Sequence, residues 1–152
     1  MVACMPIKKI LVASDGSEHA KRALDMSLEI AEKFGGSIIL LNVLPEPVIK
    51  DYRGILDEKE FEGSEELIED RRLLLEGEVD RISDESKGVK IITKLAQGPV
   101  VDTIIATANS ENVDLIALGH KGMHLTAELI MGSVTREVAR KTEIPLLIVR
   151  AS

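Results

Sequence analysis

Apolar residues follow two habits along this chain. Short unbroken runs at 7–14, 37–44, 89–95, 113–118 and 145–149 are rich in Ile, Leu and Val. Their length and continuity predict strands buried on both faces. Between them, apolar positions recur three and four apart, the period of one helix face. Ala20, Ala23, Leu24, Ser27, Leu28 and Ala31 predict a first helix, capped by Ser17 and ended by Gly35 and Gly36. A long charged segment from Ser64 to about Ser86 predicts a second, with Ile68, Leu75, Val79 and Ile82 inward and Gly88 at its end. Gly98 and Pro99 open a third, with Pro at the first helical position and Val101, Ile104, Ile105 and Ala108 on its buried face. The fourth runs from Ser133 to about Lys141, and the acidic, aperiodic stretch 45–63 reads as a loop or a mobile lid.

Strand and helix therefore alternate through the whole chain. That order predicts a single α/β domain over 1–152: a three-layer α/β/α sandwich on a five-stranded parallel sheet. With the strand order taken as 3-2-1-4-5, the sheet reverses direction between strands one and four, and open parallel sheets take ligands at that point. Strand one ends in Ala13-Ser14-Asp15-Gly16-Ser17, and strand four ends at Gly119.

The segment after strand four carries the chemistry. It reads GHKGMHLTAELIMGSVT from Gly119 to Thr135, with Gly119 and Gly122 three apart, a nine-residue gap, and Gly132-Ser133 opening a helix. Glycine lets a ligand approach the backbone closely, and a helix start presents unpaired N–H groups that favour an anion. A strand, a glycine turn and a helix N-terminus together predict a phosphate cradle.

This spacing, Gly-x2-Gly-x9-Gly-Ser, resembles the nucleotide-binding branch of the universal stress protein family. The opening KKILVASDGSEHAKRAL, the LLNV strand end and the closing IPLLIVR are similar as well. The resemblance implies a Rossmann-like, adenine nucleotide alpha hydrolase-like fold. It also implies bound ATP, or AMP or ADP, with any Mg²⁺ or Mn²⁺ held through the phosphates. Ala13, Ser14 and Asp15 would contact the nucleotide, with Asp15 and the backbone of Val43 at the adenine end. Gly119 would lie beside the ribose and phosphates, and Gly122, Gly132, Ser133, Val134 and Thr135 would surround the phosphates. His120, His124 and Lys121 are further candidates for phosphate contact. A homodimer through strand 145–150 is implied too, and it would cover an otherwise bare apolar edge.

Composition narrows the choice of function. The formal net charge of −7 argues against a nucleic-acid groove, which needs clustered Lys and Arg. It does not exclude a small anion held by backbone dipoles. The single cysteine, Cys4, allows no internal disulfide, and no apolar run is long enough to span a membrane. A cytoplasmic protein with an unknown protein partner is the expectation. His120 and His124 stand four apart but flank Gly122 in a loop, so a metal pair is not expected. No GxxxxGK[ST] loop, SGGxDS loop or HxGH pair is present. The expected role is thus a nucleotide-dependent regulator or sensor in stress response. Slow ATP hydrolysis or nucleotidyl transfer on the same fold is the alternative.

Overall fold

A computed structural model of the chain describes residues 6–44, 58–122 and 131–151, with residues 58–64 in backbone only. Residues 45–57, most of the expected loop, and 123–130, which include His124, lie outside the described residues. In chain order the elements are β1 (Lys9–Ala13), α1 (Glu18–Phe34), β2 (Ser37–Leu44), α2 (Glu58–Ile82) and β3 (Lys90–Gln97). They continue as α3 (Val100–Ser110), β4 (Leu115–Gly119), α4 (Ser133–Lys141) and β5 (Leu146–Val149). All five strands are parallel, in the order β3-β2-β1-β4-β5. Ala13, at the end of β1, pairs with Leu41 of β2 on one side and Leu118 of β4 on the other.

Alternate residues of the central strands feed two cores. Ile10, Val12, Ile38, Leu40 and Ala117 pack with Ala23, Leu24 and Leu28 of α1 and Leu75 and Ile82 of α2. Leu11, Ile39, Leu41, Ile116 and Leu118 pack with Ile104 and Ala108 of α3 and Val138 of α4. The helices thus form two layers on opposite faces, and β1 is buried on both. With no Trp and three other aromatics in the chain, the described core is aliphatic.

Three sequence expectations shift. The second helix starts at Glu58, not Ser64; Glu and Lys are good helix formers, and their aperiodic pattern concealed it. Pro99 is the N-cap of α3 (φ −57°, ψ 125°), one residue ahead of the first helical position. The run 89–95 was expected to be buried on both faces, but β3 lies at the sheet edge and is largely exposed; Ile92 keeps 47% of its surface. An edge strand has a neighbour on one side only.

Candidate functional site

The turn after β1 is built by its own side chains. Ser14 N–H donates to the Leu41 carbonyl at 2.8 Å, extending the β1–β2 ladder by one residue. The Ser14 hydroxyl accepts from Gly16 N–H at 3.2 Å, and Asp15 Oδ1 accepts from Ser17 N–H at 2.9 Å. Gly16 adopts φ +84°, a conformation side chains rarely take. Ser17 then caps α1, its Oγ accepting from Ala20 N–H at 3.2 Å and donating to the Lys121 carbonyl at 3.4 Å. The expected cap is therefore present, and it also ties the strand-one turn to the turn after β4. Asp15 is a turn former and yet turns its other oxygen toward Gly122. A Cβ on Gly122 would lie 2.7 Å from Asp15 Oδ2.

The turn after β4 and the start of α4 close the opposite side. His120 N–H donates to the Val149 carbonyl at 2.7 Å, and its own carbonyl accepts from Gly132 N–H at 2.9 Å. Gly132 is the N-cap of α4, in an ordinary extended conformation (φ −61°, ψ 150°) with no side-chain cap bond. Ser133 is the first helical residue. The first turn of α4 therefore carries N–H groups that no capping side chain satisfies, which favours an anion there. The Thr135 hydroxyl donates to the Gly119 carbonyl at 2.8 Å, which locks α4 to the end of β4.

Between these two walls lies a cavity of about 360 Å³ at the C-terminal ends of β1, β2 and β4, within the range of small-molecule sites. Of the residues singled out in the sequence, Ala13, Ser14, Asp15, Val43, Gly119, Gly122, Gly132, Ser133, Val134 and Thr135 all line it. His120 does not. The residue is 8% exposed, its ring lies tilted by 40° against that of His19 with centroids 6.2 Å apart, and its Nδ1 has no hydrogen-bond partner among the described residues. Burial, followed by the nearby charges of Arg150, His19 and Lys121, holds His120 below its ordinary titration range. It is not part of the cavity lining, and its main chain is what joins β5 to Gly132.

Gly119 lines the cavity, yet a separate contact requires its missing side chain. A Cβ there would sit 2.8 Å from Ala20 N and from His19 C and Cβ. The end of β4 can approach the first turn of α1 only because this position is bare.

The cavity also contains residues that sequence reasoning missed. Leu41, Val100, Ile104 and Leu118 form an apolar wall with Val43 and Val134. No pattern distinguished them from other core positions. Asn42 is 2% exposed; its Nδ2 donates to the Ser14 carbonyl at 2.7 Å, while its Oδ1 has no partner among the described residues. A polar residue inside the apolar run LLNVL was the available signal. Arg71, from the middle of α2, reaches the cavity too. Among the described residues no group of three or more His, Cys, Asp or Glu side chains is placed to hold a metal ion, and no helix is long and apolar enough to cross a membrane.

Comparison with known proteins gives this geometry a context. Universal stress protein YxiE of Bacillus subtilis is 31% identical over 147 residues, spanning 93% of this chain and 98% of its own length. The solved structure of MJ0577, a universal stress protein of Methanocaldococcus jannaschii, matches with a TM-score of 0.83 at 30% identity, covering 97% of this chain and 99% of that one. A universal stress protein from Archaeoglobus fulgidus, solved in complex with dAMP, shares the fold at a TM-score of 0.65 and 23% identity, over 95% and 99% of the two chains. The universal stress protein family model itself matches residues 6–150, and this chain belongs to that family.

Proposed function

We propose that this chain binds an adenine nucleotide, ATP or its AMP and ADP relatives, and that the bound ligand sets its conformation or its choice of partner. The observation that carries the reading is the cavity itself. It joins an apolar wall suited to a base (Leu41, Val43, Val100, Ile104) to the uncapped amino end of α4 and the bare backbone at Gly122. Backbone donors of that kind bind phosphate without a basic patch. The dAMP complex of the Archaeoglobus fulgidus protein supports adenine as the base.

In this reading Ala13, Ser14, Asp15 and Val43 face the adenine end, with Asn42 holding Ser14 in place. Gly119, Gly122, Gly132, Ser133 and Val134 surround the ribose and phosphates. Thr135 acts by fixing α4 against Gly119, and His120 by carrying the main-chain link to Gly132. A Mg²⁺ or Mn²⁺ ion would be held through the phosphates and water, as such hard ions prefer. The role is that of a regulator or sensor. Residues 1–152 act as one domain, and β5, at the sheet edge, pairs with its copy in a homodimer.

The test has two parts. Chromatography of the supernatant from denatured, purified protein shows whether adenine nucleotide travels with it. Thermal melting with ATP and Mg²⁺ at about a hundredfold above Kd should then raise stability by about 2.7 kcal/mol, or roughly 5–10 °C for a domain of this size. Gly122→Val should abolish that shift and leave the melting temperature of the free protein within a few degrees. An absent shift in the native protein, or an undiminished one in Gly122→Val, would count against the cradle. Release of ADP over hours would favour slow hydrolysis on the same site.

A further inference from the structure

We propose that Arg71 is a specificity-determining residue of the cavity, a cation that α2 delivers to the distal phosphates so that a nucleoside triphosphate is held in preference to a monophosphate. The inference rests on the nucleotide reading above and adds a residue and a selectivity to it. Arg71 lines the cavity and is half-buried. It makes no hydrogen bond or ion pair with any described residue, unlike its neighbours on the same helix. Arg72 pairs with Glu69 at 3.6 Å, and Arg81 pairs with Asp25 at 2.8 Å and Glu78 at 3.2 Å. An arginine without a partner among the described residues, at the wall of a cavity, is available to an anion inside it.

The fold holds this residue in position. Leu74, one turn further along α2, packs onto Gly16, where a Cβ would lie 2.8 Å from Leu74 Cδ1. That contact fixes α2 against the turn carrying Asp15. Helix α2 belongs to the layer opposite α4, so Arg71 and the amino end of α4 approach the cavity from the two faces of the sheet.

Charge explains why the phosphates, and not the base, are its target. The chain carries a net charge of −7, yet among the described residues the charged side chains lining the cavity are two cations, Arg71 and Lys121, and one carboxylate, Asp15. A neutral base has no need of that reversal, and the apolar wall already accommodates it. The field of a helix N-terminus fades within its first turn, so α4 can serve one phosphate well and those beyond it poorly. A guanidinium, whose planar fork matches phosphate oxygens, supplies the missing contact.

Calorimetric titration of adenosine, AMP, ADP and ATP into the native protein, Arg71→Ala and Arg71→Lys tests this. Arg71→Ala should weaken ATP by on the order of tenfold or more, the worth of one charge-assisted hydrogen bond, while AMP and adenosine change by less than about threefold. Arg71→Lys should recover part of the loss. ATP, but not AMP, should also slow amide exchange in α2 of the native protein, and Arg71→Ala should remove that protection. Equal losses for ATP and AMP, or no loss for ATP, would overturn the assignment and leave the nucleotide reading standing. A native protein that binds none of the four ligands would overturn both.

Discussion

His120 shows how much a single residue's setting can depart from its place in a motif. Between two glycines of the cradle, its imidazole nevertheless packs against His19, and burial together with Arg150, His19 and Lys121 keeps it neutral below the ordinary range. The linkage has a definite sign. The unfolded chain protonates this residue near its usual value of about 6.5, whereas the native protein resists until lower pH. Stability is therefore lost as pH falls below about 6.5 and the loss levels off only beneath the native value. Urea midpoints measured from pH 8 to 5 should fall in native protein and fall less in His120→Gln; parallel slopes would contradict the assignment. Glu111, lowered first by its hydrogen bond from Lys94, acts below about 4.5 and stays outside that window.

At the level of elements, the site depends on how closely α1 and β4 meet. Ser17 and Asp15 were legible in the sequence because capping and turn chemistry are local, involving residues two or three apart. Gly119 was legible as a glycine of a ligand-binding pattern, but its contact with Ala20 and His19 spans about a hundred positions of chain. Gly119→Ala should therefore destabilise the protein by about 1–3 kcal/mol in urea denaturation, since helix backbone cannot yield to the added methyl without shifting. Gly122→Ala should alter stability much less, because the atom it meets ends an Asp side chain. Equal stabilities for native protein and Gly119→Ala would mean that the end of β4 is not held by this packing.

For the whole molecule, the β5 edge of the sheet decides what happens next. β5 has β4 on one side and no strand on the other among the described residues, and three of its four residues are only partly covered. Unpaired apolar edges invite another strand. Sedimentation equilibrium should accordingly give a dimer in the micromolar range, and Leu147→Lys should shift it toward monomer. A native protein that sediments as a monomer throughout would remove β5 as an interface.

Periodicity, turn residues and glycine spacing are local properties, and from them followed the alternating elements, the parallel sheet, the family and the expectation of a cradle after β4. The strand order was consistent with them as a premise, and hydrogen-bonded register established it. Only folding could bring Arg71 of α2, Asn42 of β2 and Ile104 of α3 to one cavity, or turn His120 away from it. Those placements arise from contacts between residues far apart in the chain, and apart from the polar Asn42 in its apolar run, their side chains carry no mark, in their own neighbourhood of sequence, of what they will meet.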